Sequence, residues 1–82
     1  MKYFVYVLQS LKDKGLYIGM TNNIERRLYE HNLGYKNSTR ARIPFRLIYT
    51  EEYPDRKLAR EREKELKSGS GREFIKQHFL PG

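Results

Sequence analysis

Two tyrosines, an arginine and a histidine occur early in the chain, in an order that one small sheet and one helix could bring together. Tyr6 stands in Phe4-Val5-Tyr6 and Tyr17 in Leu16-Tyr17-Ile18-Gly19. Arg27 and His31 follow in Asn23-Ile24-Glu25-Arg26-Arg27-Leu28-Tyr29-Glu30-His31-Asn32. Phenol and imidazole groups exchange protons, and a guanidinium grips anionic oxygens. This stretch is the best candidate for a site.

On a helix turning ~100° per residue, Arg27 and His31 lie one turn apart and border the Ile24/Leu28 stripe, whereas Arg26 points nearly away from it. Arg27 can therefore reach the rim of the sheet. The plainer reading is an arginine whose stem covers core while its head stays in water. For His31 the plainer reading is a half-buried helix histidine satisfied by a neighbour. Tyr6 shares a strand face with Phe4 and Leu8, which by default makes it a core tyrosine with its hydroxyl satisfied at the edge. Tyr17 faces away from Leu16 and Ile18, and Gly19 leaves space beside it for close approach. The chain has seven tyrosines, so the pairing of these two means more than either alone. Further on, Leu58, Ala59 and Leu66 mark a buried helix stripe. Glu63 and Glu65 flank it at similar angles, and periodicity does not choose between them. The default for either glutamate is a surface ion pair worth ~0–1 kcal/mol.

The elements that must position these residues follow from pattern and punctuation. Tyr3 to Leu8 is β-branched and aromatic with apolar residues at both parities, which suits a central strand covered on both faces. Lys12-Asp13-Lys14-Gly15 carries turn chemistry, and Leu16 to Met20 returns antiparallel to close a hairpin. Asn22 or Asn23 caps the first helix, which Gly34 ends. Gly34 to Pro44 has no period and mixes Gly, Asn and Ser with cations, so it reads as an exposed basic loop. Phe45 to Thr50 is a third strand, and Pro54-Asp55 opens a second helix that runs through Lys67. Ser68-Gly69-Ser70-Gly71 breaks that helix. Arg72 to Phe79 forms a last one with Phe74, Ile75 and Phe79 inward, before Pro81-Gly82 ends the chain. The order β-β-α-β-α-α is an α+β domain, a small, mainly antiparallel three-stranded sheet flanked by helices.

At 82 residues the chain is one domain over 1–82, because two smaller units could not each bury a stable core. Lys and Arg number 17 against 10 Asp and Glu, a formal charge of +7. Such an excess on a small surface attracts polyanions in a salt-sensitive way, with nucleic acid the leading class of partner. There are no cysteines, which excludes disulfides and thiolate zinc sites, and His31 and His78 alone make a poor transition-metal set. No apolar run approaches the roughly 20 residues of a membrane span. A cytoplasmic protein with no membrane partner is expected.

Taken together, Phe4-Val5-Tyr6, Tyr17-Ile18-Gly19, Arg27 and His31 on the next helix, and Glu63 within Ala59-Arg60-Glu61-Arg62-Glu63-Lys64-Glu65-Leu66-Lys67 resemble the GIY-YIG nuclease superfamily. The match spans nearly the whole chain. The stretches from His31-Asn32 to Ser38-Thr39 and Pro44, and from Leu66 to Phe74, resemble its small single-domain bacterial members, the excinuclease-like type. The resemblance implies a three-stranded sheet with helices and one active site for phosphodiester hydrolysis with one divalent metal, usually magnesium. Carried onto this chain, it makes Tyr6, Tyr17, Arg27 and Glu63 the catalytic set, with Glu63 the metal ligand and His31 an auxiliary member. A carboxylate is a hard oxygen ligand suited to magnesium, and the metal and Arg27 would stabilise charge on the phosphoryl group. Either Tyr6 or Tyr17 would position and deprotonate the water. The first motif reads Phe-Val-Tyr where the family has Gly-Ile-Tyr, which leaves the reacting tyrosine in place. Some members carry a late asparagine at the site, and this chain has none after Asn37.

The expectation is thus a DNA endonuclease acting on branched, nicked or damaged DNA in repair or recombination. Lys36, Arg40 and Arg42 of the basic loop would touch the DNA, and an oligomer or protein partner would help to choose the substrate. The alternatives are a non-catalytic nucleic-acid-binding module and an accessory protein of another nuclease.

Overall fold

The computed structural model describes residues 1–79, with side chains through residue 78. The inward packing expected of Phe79 and the chain end at Pro81-Gly82 lie outside the described residues. Three strands, β1 (Tyr3–Ser10), β2 (Leu16–Thr21) and β3 (Phe45–Tyr53), form one antiparallel sheet in the order β2-β1-β3. Helices α1 (Ile24–Asn32), α3 (Arg56–Lys67) and α4 (Gly69–Phe79) flank it, with a single helical turn, α2 (Asn37–Arg40), before β3. The fold is α+β in the expected order, with that one turn added.

The central strand β1 is buried on both faces, which explains its unbroken apolar run. Val5 and Val7 face one side and join Ile18, Ala59, Leu66 and Ile75 in a core covered by α3 and α4. Tyr6 and Leu8 face the other, where Phe45, Tyr17, Ile24 and Leu28 pack with them beneath α1. The sheet thus separates an aliphatic core from an aromatic one, and the candidate residues of β1, β2 and α1 belong to the aromatic side.

Four expectations need correction. β3 runs three residues past Thr50, although Glu51 and Glu52 break the strand pattern. β1 supplies ladder partners as far as Tyr3↔Tyr53, and Arg62 of α3 donates to both oxygens of Glu51 (2.9 and 3.1 Å). The Tyr49 and Tyr53 hydroxyls donate to the same carboxylate. Burial works against its charge, but these hydrogen bonds outweigh burial and hold the Glu51 carboxyl below the usual range. The loop from Gly34 to Pro44 is not wholly exposed, since Thr39 of α2 is buried. Leu58 is 43% exposed and lies off the α3 stripe, which is Ala59, Glu63 and Leu66. Finally, α4 starts at Gly69 and not at Arg72. Ser68 alone is the break, with its Oγ donating to the Glu65 carbonyl (2.5 Å). At Gly71 a Cβ would strike the backbone of Glu65 and Leu66, so this glycine serves close helix approach.

Candidate active site

Local signals carry the chain from the sheet into α1 with little freedom. The Asn23 N–H donates to Thr21 Oγ1 (3.1 Å), and Asn23 Oδ1 accepts the Arg26 N–H (3.0 Å) as the helix cap. At the other end Gly34 takes φ +80°, and its N–H donates to the His31 carbonyl (3.1 Å). Asn32 then fastens the helix end to β3. Its Nδ2 donates to the Phe45 carbonyl (3.2 Å) while its Oδ1 accepts the Phe45 N–H (2.7 Å). This clamp fixes the rotation of α1 over the aromatic face. Sequence reasoning gave Asn32 no role, because its partner lies on a strand beyond an irregular loop.

That rotation presses His31, 1% exposed, against Tyr6, 2% exposed. Tyr6 Oη and His31 Nε2 share a buried hydrogen bond of 3.2 Å. The space is made by Gly19, which pairs with Tyr6 across the hairpin, and a Cβ there would lie 2.5 Å from Tyr6 Oη. The close approach expected at Gly19 therefore comes from the Tyr6 ring. Tyr17 meets the His31 ring edge-on at 4.7 Å between centroids and lies 6.3 Å from the Tyr6 ring. Lys36 Nζ donates to Tyr17 Oη (3.2 Å). His31 is thus fully buried, where a half-buried residue was the default.

Electrostatics keep the central pair neutral. Burial first, then the neighbouring Tyr17, pushes the Tyr6 phenol pKa well above its ordinary value; Arg27 opposes this, while Glu63 and Glu30 add to it. Burial lowers the His31 pKa, Lys36 and Arg27 reinforce that, and Glu30 opposes it. Two polar atoms here are buried without a hydrogen-bond partner among the described residues, His31 Nδ1 and Arg27 Nε. Glu30 Oε1 is 3.5 Å from Arg27 Nε, an ion pair without hydrogen-bond geometry.

Arg27 forms part of the wall of two clefts. One, of about 120 Å³, is lined by Arg27, Glu30, His31, Tyr35 and Lys36. The other, of about 250 Å³, brings Arg27 together with Tyr3, Asn22, Arg56, Arg60 and Glu63. Glu63 is 8% exposed and pairs with Lys67 at 3.3 Å and Arg60 at 3.9 Å. Burial makes the choice that periodicity left open, since Glu65 is exposed. A larger depression of about 320 Å³ lies between α3 and α4, but it contains none of the candidate residues, and its Arg62 is bound to Glu51.

No group of three or more His, Cys, Asp or Glu suited to a metal occurs among the described residues. The donor set at Glu63 is one carboxylate in an open polar cleft. That set fits a hard cation such as magnesium, which is held through one or two carboxylates and keeps several waters.

Of the expected DNA contacts, Lys36 stands at the site, and Arg40 and Arg42 are turned to other uses. Arg42 donates to Asp13 Oδ2 (3.2 Å) and the Leu16 carbonyl (3.4 Å), and Arg40 Nε donates to the Gly34 carbonyl (2.9 Å). Arg42 ties the loop to the hairpin, and Arg40 braces the loop within itself. Arg56 and Arg60 reach the Glu63 cleft and went unnoticed, although their spacing of seven and three residues before Glu63 places all three on one helix flank.

Residues 2–78 match a family model described as the GIY-YIG catalytic domain. A UPF0213 protein of Natronomonas pharaonis is 45% identical over 67 residues, covering 80% of this chain and 78% of that protein. A UPF0213 protein of Staphylococcus haemolyticus is 37% identical over 76 residues and covers 92% of each. The solution NMR structure of a UPF0213 protein from Bacillus halodurans superposes with a TM-score of 0.59 at 34% identity, covering 99% of this chain and 89% of that one.

Proposed function

The chain belongs to the GIY-YIG catalytic-domain family, and from that membership we propose that it is an endonuclease hydrolysing DNA phosphodiester bonds with one divalent cation, magnesium, held by Glu63. The observation that carries this reading is the position of Arg27. It stands between the Tyr6–His31–Tyr17 cluster and the Glu63 cleft and borders clefts on both sides, so one phosphate against its guanidinium would be within reach of both.

In this reading Arg27 binds the non-bridging oxygens of the scissile phosphate. The Tyr6–His31 pair takes the proton of the attacking water. A phenol with so raised a pKa is no base by itself. Tyr6 Oη instead accepts the water proton as its own proton passes to His31 Nε2, 3.2 Å behind it, and no phenolate forms beforehand. The relay uses the neutral His31 ring that burial favours, in the tautomer that carries its proton on Nδ1 and accepts at Nε2. Tyr17, held by Lys36, orients the water from the other side. When bound at Glu63, the cation supplies Lewis-acid stabilisation of the leaving oxygen. The formal charge of +7 supplies the long-range attraction for DNA. The substrates we propose are branched, nicked or damaged DNA, of the kind met in repair or recombination.

The test is cleavage of labelled single-stranded, duplex, nicked and branched DNA by wild type and Glu63→Gln, with magnesium or EDTA. Cleavage that requires both magnesium and Glu63 is expected, and equal cleavage by Glu63→Gln removes Glu63 from the reaction. Binding without cleavage of any substrate replaces this reading by a non-catalytic nucleic-acid-binding module.

A further inference from the structure

The larger Arg27 cleft has a charge imbalance that one phosphate does not answer. Three guanidiniums, Arg27, Arg56 and Arg60, share it with one carboxylate, Glu63, and a divalent cation on Glu63 would widen the excess. Arg40, Arg42, Arg46 and Arg62 are each hydrogen-bonded within the molecule. Arg56 has no hydrogen bond or ion pair among the described residues. Arg60 has only the 3.9 Å contact to Glu63, and its side chain is 59% exposed. Two cations are thus held one turn apart on rigid helix in the wall of the cleft, where the one lining carboxylate, Glu63, meets Arg60 at 3.9 Å and is shared with Lys67.

We propose that Arg56 and Arg60 form a second phosphate subsite, which holds the backbone of the substrate strand next to the phosphate bound at Arg27. The proposal rests on the endonuclease reading and extends it to the track of the strand. Arg56 and Arg60 are four residues apart on α3, about 6 Å along its axis at 1.5 Å per residue. One nucleic-acid strand carries a charge about every 3.4 Å of axis, so the pair covers roughly two successive charges. The ligand is therefore a run of phosphodiesters and not a single anion, and the strand leaves the site over α3, away from the loop holding Arg40 and Arg42. The two arginines are positioning residues that touch backbone, so the subsite is indifferent to base sequence.

The test compares Arg56→Gln/Arg60→Gln with Lys57→Gln/Lys64→Gln, which removes the same charge from exposed positions of α3 outside the cleft. Binding of a fluorescein-labelled oligonucleotide duplex is measured in EDTA across a salt series, thermal melting checks the fold, and wild-type cleavage in magnesium is followed in parallel. The expected result is a salt slope shallower by about 1.8 for the arginine pair, at about 0.9 per phosphate contact, with a smaller change for the lysine pair. An unchanged slope for the arginine pair, or an equal loss for both pairs, overturns the subsite. If that happens while the wild type cleaves DNA, only the subsite falls. If the arginine-specific loss is seen and the wild type does not cleave, the phosphate track stands and the endonuclease reading falls. If the wild type does not bind the duplex, both fall.

Discussion

Replacing Tyr6 by phenylalanine removes one oxygen and leaves the ring, so it isolates the Tyr6–His31 hydrogen bond from packing. Tyr6 and His31 are both almost wholly buried, and His31 Nδ1 already has no hydrogen-bond partner. After the substitution neither ring nitrogen would have one. Leaving a buried acceptor unsatisfied costs about 1–3 kcal/mol. No cavity larger than the lost oxygen is made, so there is no larger cavity cost to add. For a domain of this size each kcal/mol lowers the melting temperature by about 4–8 °C. Urea unfolding should show a lower midpoint with an unchanged slope, which marks a stability change and not a change in the unfolded chain. Adding His31→Phe to Tyr6→Phe removes the orphaned nitrogens as well, so the double variant should be more stable than the sum of the single losses allows. Cleavage reads the proton relay separately, and loss of a positioned proton acceptor should slow it ~10²–10⁴-fold. A Tyr6→Phe protein within ~0.3 kcal/mol of wild type, or single losses that simply add, would refute the argument for a satisfied buried pair. Cleavage at the wild-type rate would refute the relay even if stability fell as expected.

Gly19→Ala should destabilise by about 1–3 kcal/mol through overpacking, since its Cβ would lie 2.5 Å from Tyr6 Oη; a urea midpoint equal to wild type would show that the Tyr6 ring moves aside freely. The depressed His31 pKa also sets a sign for pH. Between the folded-state value and the unfolded value of about 6.5, the unfolded chain binds more protons, so stability should decline as pH falls below about 6.5 and be fully present above it. Melting temperatures from pH 7.5 to pH 5.5 measure this, and an equal slope in His31→Phe would assign the effect to other groups.

Much of the placement of the candidate residues was legible in the sequence, because its signals are local. The both-parity apolar run marks β1 as the central strand. An asparagine cap and Gly34 bracket α1. Alternation points Tyr17 away from Ile18, and the helical period places Arg27 and His31 beside Ile24 and Leu28. Each depends only on backbone geometry, which repeats within a few residues. The family resemblance singled out Tyr6, Tyr17, Arg27, His31 and Glu63 from the same local motifs.

Tertiary structure decided what depends on a distant partner. Glu63 and Glu65 are equivalent on the wheel, and only the docking of α3 on the sheet buries the first. Leu58 is apolar yet exposed, because the same docking turns Ala59 inward. β3 continues through Glu51 only because Arg62 and two tyrosine hydroxyls surround its carboxylate. Arg40 and Arg42 belong to a basic loop by composition, but one holds the Gly34 carbonyl and the other holds Asp13, and neither partner is periodic with them. Arg56 and Arg60 become neighbours of Arg27 only because α3 and α1, packed on opposite faces of the sheet, both reach the cleft at its end. Periodicity fixes a side chain's angle about its own element, and the rigid placement of that element against the others determines which charges meet.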